Sequence, residues 1–187
     1  MACDITLGRL EPCKDSVGGV KNLYFTNWQI YTTEVSDVIT DISSVNGTPT
    51  AAVLYKYEVK GATNLEQTVN SSRENGTTFW TQTINATFKK LSSATQKEIK
   101  LLSYGRPQVF VEDYNGNVFF CGMMNGMDVT GGTIVTGTAM GDLSGFTLVL
   151  TGEESKPAPF ITPGTDTEDA VYPFDNITTA PTITVGT

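Results

Sequence analysis

The stretch Thr78-Phe79-Trp80-Thr81-Gln82-Thr83-Ile84-Asn85-Ala86-Thr87-Phe88-Lys89-Lys90-Leu91 is the most informative of the chain. Trp80, Ile84, Ala86 and Phe88 share one parity; Thr81, Thr83, Asn85, Thr87 and Lys89 share the other. Side chains alternate across a strand, so this spacing predicts one greasy face and one unbroken row of small polar groups. Phe79 and Leu91 break the pattern only at its ends. Fourteen residues at ~3.3 Å each reach roughly 45 Å, well past the usual strand of about five or six. Strands of that length belong to barrels or extended ribbons.

Outward from it, Asn64 to Ser71 is the predicted hairpin partner, with Leu65, Gln67 and Val69 on one parity. The connection Ser72-Arg73-Glu74-Asn75-Gly76 is charged, should project from the sheet, and ends in Asn75-Gly76, which is expected to supply the positive φ angles of a tight turn. Val53 to Val59 is aromatic and β-branched and stops at Gly61. On the other side comes one helix. Ser93 is the expected cap, with Gln96 at capping-box spacing, and Thr95, Ile99 and Leu102 form a narrow apolar face; Gly105 and Pro107 end it. Further strands are predicted over Gln108–Asp113, Val118–Cys121, Met127–Thr138 and Phe146–Thr151, with Tyr114-Asn115-Gly116-Asn117 and Gly141 to Gly145 as turns. Phe146, Leu148 and Leu150 share a parity and join Trp80, Ile84 and Phe88 as the expected core.

These elements predict a mainly β chain with one short helix. Residues 1–50 read as an N-terminal arm with strands at Val20–Phe25 and Val35–Ile42 and a turn at Asn46-Gly47; 51–155 form the β core; 156–187, rich in Pro, Thr and acid, read as an extended C-terminal arm.

With 187 residues, 39% of them hydrophobic, the chain can bury a real core in one domain. Net charge is -8, unevenly placed: residues 1–106 sum to +1 and residues 107–187, whose only base is Lys156, to -9. Such a chain is poorly suited to gripping nucleic acid, which needs clustered Lys and Arg; Lys89-Lys90 is too small a patch. There is no His, which removes His-based triads, His general bases and His-ligated metals. Glu112-Asp113, the most conspicuous carboxylate pair, are strand neighbours that point to opposite faces, and read as an exposed strand end. Cys3 and Cys13 lack metal-binding spacing, and Cys3, Cys13 and Cys121 are expected as free thiols of a protein made in a reducing cytoplasm. Met123, Met124 and Met127 read as core or as an adaptable contact surface. The glycines of 122–132 match no phosphate-binding fingerprint, and chance in a Thr-rich chain accounts for the N-x-[ST] triplets. No signal peptide and no apolar run of membrane-spanning length is present. The expectation is a protein that is not an enzyme, with no cofactor, no metal and no membrane insertion.

The order of a long hairpin, a short helix, a tight hairpin and a strand-turn-strand ending in "GDLSGFTLVLTGEESKPAPFI" resembles the tail-tube fold of tailed bacteriophages, over about Val53 to Ile161. The wording of "GGVKNLYF", "EDYNGNVFFCGMMNGMDV" and "GDLSGFTLVLTGEE" is similar to virion structural proteins of phages infecting Bacteroidetes, including the crAss-like group. The resemblance implies a tail-tube-like β-sandwich or half-barrel that completes a β-barrel on ring formation, in a tail tube or a ring at the neck or tail tip. It implies self-association, six-fold or a higher multiple, neighbouring tail, neck or tail-tip proteins, and transient passage of viral DNA through a ring assembled in the host cytoplasm. It places Thr81, Thr83, Asn85, Thr87 and Lys89 toward a lumen or solvent-facing wall, and Arg73, Glu74 and Asn75 at a ring-ring junction. Two other readings stay open: a head-decoration or other neck protein of the virion, and a carbohydrate- or receptor-binding β-sandwich using exposed aromatics such as Tyr55, Tyr57 and Tyr114.

Overall fold

The computed structural model describes residues 5, 7–11, 13–28, 30–35, 37–44 and 51–186. The expected Asn46-Gly47 turn and Cys3 lie outside them. The alternating stretch is strand β6 (Thr77–Lys89), hairpinned to β5 (Asn64–Ser72). Of the turn pair, Gly76 alone takes a positive φ, +61°, the left-handed geometry that glycine adopts at no steric cost. Strand β10 (Gly145–Glu154) pairs with β6 in unbroken antiparallel register from Gly145 opposite Lys89 to Glu154 opposite Trp80. A Cβ at Gly145 would collide with the Phe88 carbonyl, so glycine permits this closest approach of the two strands. Strand β9 (Asp128–Val135) completes a four-stranded antiparallel sheet in the order β5-β6-β10-β9, with a register shift near Thr130.

A second, eight-stranded mixed sheet is made of β1 (Val20–Thr26), β2 (Ile30–Val35), β3 (Val38–Ser44), β4 (Val53–Glu58), β7 (Gln108–Asp113), β8 (Val118–Cys121), β11 (Phe160–Ile161) and β12 (Thr182–Val185), in the order β12-β4-β1-β7-β8-β11-β3-β2. It draws strands from all three expected segments of the chain. The predicted strand Val35–Ile42 straddles a turn: β2 ends at Val35, Asp37 has φ +63°, and β3 starts at Val38. Helix α1 (Ser93–Tyr104) is capped one residue earlier than expected, by Ser92, whose Oγ accepts the Thr95 N–H at 3.1 Å. Gly105 closes it through bonds to the Leu101 and Leu102 carbonyls.

The fold is thus mainly β, with one short helix and a curled, half-barrel sheet. The apolar parity of β6 and β10 (Ile84, Ala86, Phe88, Phe146, Leu148, Leu150) packs on Leu23, Phe25, Val109, Val111 and Cys121 of the large sheet, with Ile99 of α1 closing one side. Each such fully buried aliphatic or aromatic side chain contributes about 1.5–3 kcal/mol. Trp80, expected in this core, is only half-buried, because it sits at the sheet's end beside Val69, which is 51% exposed. The large sheet is covered on its other face too. Tyr24, Leu54, Phe110, Val118 and Phe120 pack there against Ile39, Ile42, Phe174 and Ile177.

That second layer accounts for the C-terminal segment, which does not stand off as an arm. Phe174 is fully buried, edge-on to Tyr24 and Phe110 at 5.1 and 5.5 Å between ring centres. Asp175 Oδ2 accepts the Thr165 and Asp166 N–H groups, the Thr178 N–H donates to the Thr40 carbonyl, and β12 runs parallel to β4. A segment poor in periodicity folds here because three apolar residues, Val171, Phe174 and Ile177, meet a sheet face that would otherwise be bare.

Candidate functional surface

The four-stranded sheet turns its polar parity to solvent. Thr81, Thr83, Asn85 and Thr87 of β6 are half-buried there, and Lys89 is exposed at the strand end. They are flanked by Asn64, Glu66 and Thr68 of β5 and by Thr147, Val149, Thr151 and Glu153 of β10. Cross-strand hydroxyl and amide bonds tie the rows together: Asn70 Nδ2 to Thr81 Oγ1 at 2.8 Å, Thr133 to Thr147 at 2.7 Å between hydroxyls, Thr130 to Thr151 at 3.0 Å. The face carries Glu66, Asp128 and Glu153, and Lys89 is its single base among the described residues. Chemically it is a wall of hydroxyls and amides with a slight carboxylate surplus.

Two edges bound this wall. Strands β5 and β9 each have a hydrogen-bonded neighbour on one side alone among the described residues. An even strand number makes the two edges run in opposite directions. At one end of the sheet the β5–β6 tip reaches past its neighbours, since β10 pairs with β6 only from Trp80 onward. The expected junction residues Arg73, Glu74 and Asn75 are exposed on that tip, with Phe79 37% and Val69 51% exposed behind them.

Two polar clusters escaped the sequence reading. Glu112 is no exposed strand end; it is 1% exposed. Its Oε1 accepts from Lys21 Nζ at 2.8 Å, and its Oε2 accepts from Asn22 Nδ2 at 2.6 Å and the Tyr24 hydroxyl at 2.8 Å. The hydrogen bond to Glu112 raises the pKa of Lys21, and burial followed by the Glu112 charge raises that of Tyr24. Lys21 also stands 5.6 Å over the Tyr172 ring, tying the C-terminal layer to β1 across a cleft of about 460 Å³. In the second cluster, buried Glu154 accepts the Met124 and Asn125 N–H groups at 2.9 and 2.7 Å, and buried Gln82, on the apolar parity of β6, accepts the Gly122 N–H at 2.9 Å. Both clusters are satisfied braces whose partners lie 29 to 91 residues apart, which leaves no local signal.

Asp113, by contrast, stays at the β7–β8 turn. Burial tends to raise its pKa, but N–H donors of Asn117 and Asn115 outweigh that and hold it below the usual carboxylate range. Burial also pushes the Cys121 thiol far up, so it is no nucleophile; Cys13 is exposed. Met127 is fully buried, whereas Met124 is 61% exposed. Among the described residues no three His, Cys, Asp or Glu side chains gather as a metal site, and no helix is long and apolar enough to cross a membrane. Of the three aromatics singled out, Tyr55 and Tyr57 line a cleft with Trp28, while Tyr114 lies apart beside Gly19. The chain matches no protein-family model, no curated protein and no solved structure.

Proposed function

We propose that the protein is a virion structural subunit of a tailed bacteriophage that closes into a hollow ring, in a tail tube or at the neck or tail tip, and forms a conduit for the genome. The observation that carries this reading is the four-stranded sheet with two open, oppositely directed edges and a hydroxyl-lined outer face. Unpaired edges invite pairing with another chain. Under rotational symmetry β9 of one copy meets β5 of the next, and because the two run in opposite directions the new pair is antiparallel, like every pair inside the sheet. A ring of copies then makes one continuous barrel without edges. Six copies would give a barrel about 45–50 Å across between backbones, at about 4.8 Å per strand and a tilt near 40°.

In that ring Thr81, Thr83, Asn85, Thr87 and Lys89 face the lumen, the one base outnumbered there by Glu66, Asp128 and Glu153. Hydroxyls and amides offer DNA no fixed cation, and the surplus carboxylates repel phosphate, which favours sliding over sticking. Arg73, Glu74 and Asn75 project along the axis toward the next ring or an adjacent tail or neck protein. Such a subunit is built in the bacterial cytoplasm and resides in the virion, and it needs neither cofactor nor catalytic residue. Sedimentation and negative-stain microscopy of the purified chain test this: annular particles are expected, and a sample that stays monomeric at high concentration without rings overturns it.

A further inference from the structure

Asn followed by Gly is a reactive pair. The Gly backbone nitrogen can close on the Asn side-chain carbon, because glycine has no Cβ to stand in the way and leaves the main chain free to turn. The chain carries this pair at 46–47, 75–76, 115–116 and 125–126, and the first lies outside the described residues. Two of the other three are locked. At Asn115-Gly116 the Asn115 amide donates to the Val17 carbonyl at 2.8 Å and to Asp113 Oδ2 at 3.2 Å, and Asn115 Oδ1 accepts the Val17 N–H at 2.9 Å. The Gly116 N–H is spent on the Asp113 carbonyl at 3.4 Å. At Asn125-Gly126 the Asn125 amide donates to the Glu153 carbonyl at 2.7 Å, the Gly126 N–H to the Gly122 carbonyl at 3.0 Å, and Gly126 is packed against Trp28 and Arg106. Asn75-Gly76 has none of this. Asn75 is exposed, and among the described residues neither its side chain nor the Gly76 N–H has a hydrogen-bond partner. Its chain neighbours apart, no atom lies within 4 Å of where a Gly76 Cβ would stand.

We propose that Asn75 is a site of self-modification, where the chain converts its own asparagine to isoaspartate or aspartate. The Gly76 nitrogen, having lost its proton to solvent base, attacks Asn75 Cγ. The new N–C bond forms, the bond from Cγ to the amide nitrogen breaks, and that nitrogen leaves as ammonia with a proton from water. Water then opens the five-membered imide. Opening at the side-chain carbonyl gives aspartate; opening at the main-chain carbonyl gives isoaspartate, with the main chain rerouted through the Asn75 β-carbon. One water is consumed, one ammonia is released, and nothing is oxidised or reduced. Either product adds a carboxylate to the tip, where Arg73 and Glu74 now cancel. The hairpin survives, because β5 and β6 stay paired from Ser72 opposite Thr77 to Asn64 opposite Asn85. The site stands whatever the chain assembles into. Its consequence rests on the ring reading: the tip is the surface offered to the next ring, so an unassembled copy slowly alters the contact it has to make.

In the test, the full chain is held in mildly alkaline buffer, and samples are digested over time and resolved by mass spectrometry with fragmentation that separates isoaspartate from aspartate. Conversion at Asn75 should run at least about tenfold ahead of Asn115 and Asn125, whose pairs must first open two or more hydrogen bonds. In guanidinium chloride the three rates should converge, because the lock is the fold and not the dipeptide. Equal rates in the folded chain, or a lead for Asn75 that persists in denaturant, overturns the proposal. Asn75→Gln, which would have to close a six-membered ring, should stop conversion at the tip. Aged samples are then compared in negative stain. Fewer rings from aged wild type than from equally aged Asn75→Gln support the consequence, and equal rings from both overturn it. Rings from neither, nor from fresh protein, overturn the ring reading and that consequence with it, while the conversion map still decides the site.

Discussion

Replacing Glu112 by Ala should be among the most damaging single changes outside the apolar core. The carboxylate is 1% exposed and accepts three donors. Two of them, Asn22 at 4% and Tyr24 at 1% exposure, lose this partner while still mostly buried. Each buried polar group left unpaired costs about 1–3 kcal/mol, so the pair costs about 2–6. Lys21 is 47% exposed and rehydrates, so its lost ion pair adds no more than about 1 kcal/mol. The expected loss is about 2–7 kcal/mol, or a Tm lower by roughly 5–25 °C for a chain of this size. Urea denaturation of dilute protein measures it, with the midpoint falling and the slope unchanged. Glu112→Gln keeps the volume but turns one acceptor into a donor that faces donors, and should cost less, about 2–4 kcal/mol. If Glu112→Ala costs under about 1 kcal/mol, in the range of surface substitutions, the buried brace does not exist and the carboxylate is the exposed strand end after all.

Three further outcomes are expected. Ile134→Lys on the β9 edge, at a side chain 57% exposed, should leave monomer stability within about 0.5 kcal/mol yet abolish rings in negative stain, because a charge on an edge strand blocks pairing. Phe88→Ala should cost about 3–5 kcal/mol in denaturant titration, Trp80→Ala less because that ring is half-buried, and Thr83→Asp or Asn85→Asp little, because both face solvent; equal damage from Phe88 and Thr83 would mean that β6 is buried on both faces. Asp113, Asp142 and Asp175 are held below the ordinary carboxylate pKa by backbone and side-chain donors, so their stabilisation is complete above about pH 4 and fades as pH falls through their lower folded values. Asp113→Asn should flatten the acid side of a stability-versus-pH profile; an unaltered profile refutes the assignment.

The four-stranded sheet was legible because one of its faces is wet. The alternation of Ile84, Ala86 and Phe88 with Thr83, Asn85 and Thr87 is written directly in residue type. Strands of the large sheet (Val20–Thr26, Val53–Glu58, Gln108–Asp113, Val118–Cys121) were legible one by one, but their assembly into one sheet covered on both sides was not: β1 (Val-Lys-Asn-Leu-Tyr-Phe-Thr) and β7 (Gln-Val-Phe-Val-Glu-Asp) are buried at nearly every position, and a strand without a wet face loses the period of two that would tell which layer it joins. The same double covering hid Glu112, whose donors come from β1, about ninety residues earlier. The parity of Trp80 was correct, but parity says nothing about whether a facing sheet extends that far. The β5–β6 tip was placed by its turn chemistry, while the aromatic cleft, assembled from residues 25–28, 55–57 and 98–107, carries no signature in any one stretch.

The layer that seals the large sheet is supplied by residues that leave the ribosome after all the strands they cover except β12. Until Phe174 and Ile177 emerge, Tyr24 and Phe110 lack the ring that packs edge-on against both, and that face is only partly covered, by Ile39 and Ile42. A nascent chain halted near Pro159 would therefore expose a sticky aromatic plate and be a target for chaperones or proteolysis. Completion of synthesis is then what gives the protomer a sealed interior, because the last covering residues lie within a dozen positions of the end of the described chain.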